Sequence, residues 1–280
     1  MFSKIEHGIY WDRKINASKM IKETDRDIFK TIPKGEILLL NQDIFNDNIT
    51  AYQIDKIFTK ISLHPNHIFI IETEFIQRCR DLFLRRPVGS CENIWIGCIA
   101  TNQEQANSRI PILLEIPCRI HIAVIKPLAG EIYLDGLKIR YNALSEHKKI
   151  DWVICGGGYD PQAVRDYFPY SFHISEKIRV TSSIPVDFEW VDSLAQQCEE
   201  NEIPFFFTGW GDWFPRDEWE HCPDIELPDD YEIEFEPAGN TPDGRTFRFE
   251  ESNGLAHFVG KKKSGRTIRG ITYNEMPCLH

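Results

Sequence analysis

The sequence lacks a long hydrophobic run, a Cys-x-x-Cys pair and an excess of positive charge. No apolar stretch approaches the roughly 20 residues that a membrane helix needs, and the first residues contain no hydrophobic signal-peptide segment. We therefore expect a cytoplasmic protein with no membrane association. The formal net charge of −11 argues against non-specific binding of the whole chain to nucleic acid, because phosphate contacts need clustered cations.

The eight cysteines are spaced in a way that predicts neither a zinc site nor an iron–sulfur loop. Several of them fall on strand-like runs or on apolar helix faces, which favours buried, reduced thiols and fits a cytosolic compartment. His64 and His67 lie three residues apart but have no third ligand nearby. We therefore predict no metal site.

Six short apolar runs predict β-strands at 37–40, 68–71, 94–99, 120–125, 152–155 and 205–207. Between several of them, apolar residues recur with helical spacing, and Asn102 and Asp187 stand where helix N-caps are expected. This alternation predicts right-handed βα units and a parallel sheet. Because a closed barrel of this kind has about eight strands, we expect an α/β fold with a partial or modified parallel β/α barrel over residues 1–214.

Two segments interrupt this rhythm. Residues 159–186 are predicted to form an insertion in the barrel, with a short extra strand at 177–180. Residues 215–242 are acidic and rich in proline, which predicts a solvated surface excursion. The remainder of 215–280 alternates like antiparallel strands joined at Asn253-Gly254 and Ser264-Gly265, and we expect these hairpins to pack on the barrel.

The segment 205–213 reads Phe-Phe-Phe-Thr-Gly-Trp-Gly-Asp-Trp. A short apolar run without alternation predicts a strand that is buried on both faces. The glycines after it allow a sharp turn. Because ligands of α/β proteins bind at the carboxyl ends of such strands, this segment predicts the mouth of a site.

Eight blocks of sequence carry a resemblance to a known family, and they occur in the family's order over residues 8–277. They are 8–11, 37–45, 93–97, 109–114, 126–128, 151–157, 205–213 and 259–266. In these blocks the chain resembles a phage-associated family of unknown function, labelled phage gene product thirty-seven/sixty-eight, whose members are similar to radical-SAM barrels. The resemblance implies a radical-SAM-like barrel and, for a phage-encoded protein, the host cytoplasm.

The chain departs from that family at polar positions. The family's cysteine cluster motif precedes the part that this chain resembles, and no residue here replaces its thiolates. Where the family has a glutamate, this chain has Lys126; a second family glutamate is replaced by Gly158, and a family lysine by Thr208. Glu72 stands where the family has threonine. The resemblance therefore implies a scaffold whose chemistry has changed.

The candidate pocket residues are those at predicted strand ends: Asn41, Asp43, Glu72, Lys126, Gly156, Gly157, Gly158, Thr208, Trp210 and Asp212. Several alternatives stay open. Lys126 is either an anion ligand or a surface lysine, the three glycines are either a cofactor cradle or a plain turn, and Trp210 either stacks on a base or packs in the core.

A dense basic cluster follows the last predicted strands and is formed by Lys261, Lys262, Lys263, Arg266 and Arg269. Either a solvated hairpin or a phosphate contact explains it.

Three functions follow as expectations. The first is a binding or regulatory subunit that is inactive by itself and needs no cofactor. The second is one half of a split radical-SAM enzyme acting on a nucleobase or nucleotide, in which a partner chain supplies the cysteines for S-adenosylmethionine and iron–sulfur chemistry. The third is a metal-free enzyme built on Lys126, Asp43 and Asp212. Nucleotide or nucleic acid is a further candidate partner.

Overall fold

A computed structural model describes residues 3–4, 10–21, 29–85, 92–135, 149–158, 183–222, 225, 239–240 and 246–278. Its centre is a curled, seven-stranded parallel sheet that forms a half-barrel. The strands of the half-barrel are β2 (Arg13–Ile15), β3 (Ile37–Leu40), β4 (Ile68–Thr73), β5 (Ile94–Ile99), β6 (His121–Ile125), β7 (Trp152–Cys155) and β8 (Phe205–Phe207). Each strand is hydrogen-bonded to its neighbours in sequence.

Helices cover the convex face of this sheet. They are α1 (Ala17–Ile21), α2 (Ala51–Ser62), α3 (Ile76–Leu84), α4 (Gln103–Leu113) and α5 (Phe188–Glu200). Two clusters of buried apolar side chains lie between helices and sheet, one under α1–α3 and one under α4 and α5. The predicted N-caps are confirmed, because the Asn102 side chain accepts a hydrogen bond from the Gln105 amide and Asp187 accepts one from the Glu189 amide.

The concave face is filled by aromatic side chains. Tyr10 packs edge-on against Trp152 and Phe206, with ring centroids 5.8 Å and 5.6 Å apart, and Trp95 packs against Trp152 at 6.2 Å. Tyr10 precedes β2, the first strand of the sheet, whereas Phe206 lies on the last. The curl of the sheet therefore brings its two ends together through side-chain contacts.

Two small antiparallel sheets complete the structure. One contains β9 (Trp213–Pro215), β10 (Gly239–Asn240), β11 (Thr246–Arg248) and β12 (Leu255–Phe258). The other pairs β1 (Ser3–Lys4) with β13 (Glu275–Met276). The prediction of a turn at Asn253-Gly254 is confirmed, since β11 and β12 pair across it and Asn253 has a positive φ of 56°.

Three predictions need correction. The strand β2 was not predicted, because Arg13 and Lys14 make it read as a charged segment. The second hairpin does not form: a turn at 260–264 is fastened to Asp212, and Ile268 has only an isolated bridge to Ile271.

The third correction concerns the acidic segment, whose described part includes the 3₁₀-helix Arg216–His221. Glu218 is fully buried there, and its carboxylate accepts hydrogen bonds from Thr267 Oγ1 at 3.1 Å and from the Arg269 amide. The expectation of a solvated surface is therefore wrong for this residue. The strand predicted at 177–180 lies outside the described residues.

None of the helices in the described ranges is long and apolar enough to cross a membrane. Four cysteines of the described residues are buried and form no disulfide, as predicted: Cys79, Cys98, Cys155 and Cys198.

Candidate functional site

A polar cluster lies on the concave face where the parallel strands end, above the aromatic side chains. We term this cluster the mouth and define it by Tyr10, Lys14, Glu72, Lys126, Thr208, Lys261 and Arg266. Successive side chains of a β-strand point to opposite faces of the sheet, so residues two apart share a face. Glu72 follows Ile70 by two residues, Lys126 follows Val124 and Thr208 follows Phe206, and each of these apolar residues belongs to the concave-face core.

Glu72 and Tyr10 form the most tightly coupled pair in the mouth. The buried Tyr10 hydroxyl donates a hydrogen bond to Glu72 Oε1. Burial raises the pKa of Glu72, while the Tyr10 hydrogen bond and the positive charges of Lys126 and Lys14 act in the opposite direction. Burial, together with the Glu72 charge, also raises the pKa of Tyr10 well above its usual value. Tyr10 therefore stays a hydrogen-bond donor at neutral pH.

Gly97 on the next strand makes room for Glu72. A Cβ at this position would lie 2.9 Å from Val124 Cγ2 and 3.2 Å from Glu72 Cγ. A larger residue would displace the carboxylate that Tyr10 holds.

Lys126 is brought to the mouth by the end of β6. Burial lowers the pKa of its ammonium group, and the charges of Lys261 and Lys14 lower it further. Interactions with Glu72 and, to a smaller extent, Cys155 act in the opposite direction. The ammonium group therefore faces one carboxylate and two like charges. This arrangement has an excess of positive charge, although the whole chain is strongly acidic.

The three predicted glycines lie beside Lys126 and Thr208, and two of them are sterically required. A Cβ on Gly156 would lie 2.0 Å from Thr208 Oγ1, and a Cβ on Gly157 would lie 2.3 Å from the Trp210 carbonyl oxygen. Gly158 is less confined, because its Cβ would lie 3.6 Å from Lys126 Cγ. The glycines let the ends of β7 and β8 approach each other closely.

Thr208 and Arg266 bound the mouth at the β8 side. The Arg266 guanidinium lies over the Phe206 ring, 5.2 Å from its centroid, and Nη2 donates to the Phe207 carbonyl oxygen at 3.2 Å. Among the described residues, Thr208 Oγ1 and Arg266 Nε are two of the few buried side-chain polar atoms without a hydrogen-bond partner. Orphaned polar atoms of this kind are costly in a protein interior.

Asp43 and Asn41 lie at the end of β3, but the Asp43 carboxylate is occupied by protein contacts. It accepts hydrogen bonds from the Phe45 amide at 3.0 Å, from Thr73 Oγ1 at 2.9 Å and from the Glu74 amide at 3.0 Å. Asn41 is exposed, and its backbone amide donates to the Ile15 carbonyl oxygen. Asp43 thus fastens the loops after β3 and β4 instead of lining the mouth.

Asp212 and Trp210 also have structural contacts. Asp212 Oδ2 accepts from the Ser183 amide at 2.7 Å, and Oδ1 accepts from the Lys261 amide at 3.0 Å. Trp210 is fully buried on the helix-covered side of the sheet, where its Nε1 donates to the Thr267 carbonyl oxygen. Of the two open alternatives for Trp210, the structure therefore supports core packing.

Four residues of the mouth are not among the residues predicted from the sequence: Tyr10, Lys14, Lys261 and Arg266. Tyr10 and Lys14 precede or lie on the strand that was not predicted. Lys261 and Arg266 belong to the basic cluster in the sequence, but they lie far along the chain from the strand ends that they approach. A position at the end of a predicted strand was enough to predict that Glu72, Lys126 and Thr208 line the mouth. It was not enough for the other residues of the mouth.

The fold and the mouth define an α/β half-barrel protein with a polar, predominantly basic site at the carboxyl ends of its parallel strands. Comparison with known families matches residues 17–170 and 181–277 to the family described as "Protein of unknown function (DUF5131)", and the chain belongs to that family. Searches of curated proteins and of solved structures found no match.

Proposed function

We propose that this protein is a phage-related, radical-SAM-like half-barrel that is inactive by itself and acts as a binding or regulatory subunit through its mouth. One observation carries the proposal. Positions at which the sequence departs from the resembled family, Glu72, Lys126 and Thr208, lie together in the mouth, while the apolar residues between them pack as a core. The polar residues of the mouth differ from those of the resembled family, whereas the apolar residues that build the sheet match it. This pattern favours a protein that has kept the fold of the family but not its chemistry.

The cysteines support the same proposal. Cys98 and Cys155 belong to the core clusters on the helix-covered side of the sheet. Burial raises the pKa of each thiol to about 12. Because cluster ligation requires accessible thiolates, these two residues are poor ligands for an iron–sulfur cluster. The buried thiols also favour a reducing, cytoplasmic compartment, that of the host for a phage-encoded protein.

A second function is favoured by the charge of the mouth. The basic side chains of Lys14, Lys126 and Lys261 suit the negative charge of a nucleotide. In this alternative the chain is one half of a split radical-SAM enzyme that modifies a nucleobase or nucleotide, and a partner chain contributes the cysteines that hold the cluster for S-adenosylmethionine cleavage.

Anaerobic reconstitution tests the leading proposal. The full chain is incubated with iron and sulfide, desalted, and analysed for bound iron, bound sulfide and cleavage of S-adenosylmethionine. We expect neither a stoichiometric cluster nor cleavage. A cluster bound by this chain alone that cleaves S-adenosylmethionine would overturn the proposal.

The split-enzyme alternative is tested by adding a partner. A chain that carries the cysteine motif and is encoded beside this one is co-expressed, and the pair is reconstituted in the same way. Co-purification together with S-adenosylmethionine cleavage that requires both chains would establish the alternative, whereas no cleavage with the partner would remove it.

A further inference from the structure

We propose that the mouth binds the phosphate group of a small phosphorylated molecule, with Lys126, Lys261 and Arg266 as the charged ligands and Thr208 as a neutral donor. This inference rests on the proposed binding role of the mouth and specifies its ligand. It joins two observations, the excess of positive charge in the mouth and the buried polar atoms of Thr208 and Arg266 that have no hydrogen-bond partner.

The first step towards phosphate recognition is charge. The mouth contains the basic side chains of Lys14, Lys126, Lys261 and Arg266, and Glu72 is the carboxylate that acts on Lys126. Lys126 experiences repulsion from both Lys14 and Lys261. An anion placed among them would convert these repulsions into attractions to a common partner. Since four cations and one carboxylate belong to the described residues that define the mouth, a dianion fits the charge better than a monovalent carboxylate.

The second step is hydrogen bonding. Thr208 Oγ1 is buried and has no partner among the described residues, and the same is true of Arg266 Nε. Both residues flank the end of β8, because Arg266 Nη2 binds the Phe207 carbonyl oxygen and Thr208 is the next residue. A hydroxyl group and a guanidinium group both donate hydrogen bonds, and phosphate oxygens are good acceptors of such bonds.

The third step is rigidity. The turn at 260–264 is fixed by the Asp212 carboxylate at the Lys261 amide and by Ser264 Oγ, which donates to the Gly211 carbonyl oxygen at 2.5 Å. Arg266 is held by its contacts with Phe206 and Phe207. The backbone that carries Lys261 and the guanidinium of Arg266 are thus positioned before any ligand arrives, which reduces the entropic cost of binding. Asp212 acts as a positioning residue here.

Calorimetric titration of the full chain tests the inference. The probes are inorganic phosphate, ribose 5-phosphate and AMP, with acetate as the monovalent control, all at one ionic strength. We expect phosphate-containing probes to bind and acetate not to. Equal affinity for all three phosphates indicates free phosphate as the natural ligand, and tighter binding of ribose 5-phosphate or AMP indicates a phosphorylated molecule. No phosphate binding above the acetate baseline would overturn the inference.

Variants locate the binding site. Lys126→Gln, Lys261→Gln and Arg266→Gln should each weaken phosphate binding by about tenfold or more, which corresponds to the loss of one charge-assisted hydrogen bond. Lys262→Gln is the matched control, because Lys262 is an exposed lysine of the same turn. Circular dichroism confirms that each variant is folded, and the exposed position of Lys261 makes its variant the least disruptive. Equal weakening by Lys262→Gln would show unspecific surface attraction and would overturn the assignment.

The outcome is separable from that of the proposed function. Phosphate binding is measured on the protein without iron or sulfide, so it does not depend on cluster formation. A chain that binds a cluster, cleaves S-adenosylmethionine and still binds phosphate refutes only the inactive-subunit proposal. A chain that does neither of the first two and does not bind phosphate refutes only the ligand assignment.

Discussion

Gly156 shows how strongly a single residue constrains the strand ends. Because Gly156 has no Cβ, the Thr208 side chain can occupy the space beside it. A Cβ on residue 156 would lie only 2.0 Å from Thr208 Oγ1. Neither Thr208 nor the backbone of Gly209 can retreat easily, because the Thr208 amide donates to the Cys155 carbonyl oxygen at 2.8 Å. The glycine is therefore a steric requirement of the paired ends of β7 and β8.

We predict that Gly156→Ala lowers the free energy of unfolding by about 1–3 kcal/mol, the usual cost of overpacking. Urea unfolding followed by circular dichroism measures this difference. Gly130→Ala is the control, since nothing lies within 4 Å of a Cβ there. Similar stabilities for both variants would contradict the steric argument.

Tyr10 provides a second prediction at the level of a residue. Tyr10→Phe removes the hydroxyl that donates to Glu72 but keeps the aromatic ring. We expect a loss of about 1–2 kcal/mol in unfolding free energy, because a partly buried carboxylate loses a donor. The pKa of Glu72 should also rise further, because this hydrogen bond lowers it in the native protein.

Chemical denaturation at several pH values and carboxyl NMR measure the two effects. Tyr52→Phe serves as the matched variant, because the Tyr52 side chain is 66% exposed. An unchanged stability of Tyr10→Phe relative to Tyr52→Phe would remove the energetic role of the pair.

The sequence predicted individual site residues only where strand-end position was sufficient. Lys126 and Glu72 follow apolar runs directly, so their location in the mouth could be inferred. Asp43 and Asp212 have the same sequence signal, yet their carboxylates bind backbone amides of neighbouring loops. Which amides a carboxylate meets depends on loop geometry, and local sequence does not contain that information.

At the scale of the elements, an ion pair stabilises the amino-terminal end of β6, which is the end of the strand away from the mouth. His121 Nδ1 lies 3.0 Å from Asp151 Oδ2, and its Nε2 lies 2.9 Å from the Ile116 carbonyl oxygen. Burial lowers the pKa of His121, but the hydrogen bond with Asp151 and further contacts outweigh burial and raise the pKa to about 10. At neutral pH the imidazolium donates from both nitrogens.

The raised pKa predicts a particular pH dependence of stability. The contribution of this pair is complete below the unfolded-state pKa of about 6.5 and is lost as the pH rises towards about 10. We expect the free energy of unfolding to fall by up to about 5 kcal/mol between these pH values, at about 1.36 kcal/mol per pH unit, and urea unfolding measures this decline.

His121→Gln should flatten this dependence, whereas His221→Gln should leave it unchanged, because His221 lies exposed on the 3₁₀-helix. Parallel pH curves for the native chain and His121→Gln would argue against a protonated, paired His121.

Most elements of the half-barrel were predictable because hydrophobic pattern and length determine them locally. The strands β3, β5, β7 and β8 have the predicted bounds, and the helix faces built on Ile54 and Phe188 are buried as expected. The strand β2 escaped prediction because its pairing with β3 is a tertiary contact that Arg13 and Lys14 do not signal.

At the scale of the whole molecule, the outer edge of β8 is covered by the segment 273–276. The Phe207 amide donates to the Tyr273 carbonyl oxygen at 3.1 Å, and Phe206 forms an antiparallel bridge with Asn274. Trp152 Nε1 donates to the Glu275 carbonyl oxygen at 2.9 Å. A bare edge of a parallel sheet would invite pairing with another chain.

Removal of residues 271–280 should therefore lower the melting temperature and cause aggregation. Light scattering coupled to size-exclusion chromatography detects the aggregates, and hydrogen exchange should show loss of protection at the Phe207 amide. A shorter truncation that removes only 277–280 is the control and should behave like the full chain. A dispersed, equally stable protein lacking 271–280 would contradict this role of the segment.

The regular alternation of strands and helices in the sequence was enough to predict an α/β fold. It was not enough to predict that the two ends of the sheet come into contact. Nothing local in the sequence indicates that Tyr10 meets Phe206, or that the turn after Gly260 reaches Lys126. Such contacts depend on how strongly the sheet curls, which results from the sum of many packing interactions.

The consecutive order of the strands has a consequence for synthesis on the ribosome. Because every strand of the half-barrel pairs with its sequence neighbours, the sheet can be extended strand by strand as the chain emerges. Lys261 and Arg266 are translated after β8, so a nascent chain can hold a nearly finished scaffold whose mouth still lacks two of its cations. Ligand affinity would then be acquired only after Arg266 has been synthesised, and a nascent chain that ends before Lys261 could not compete for the ligand.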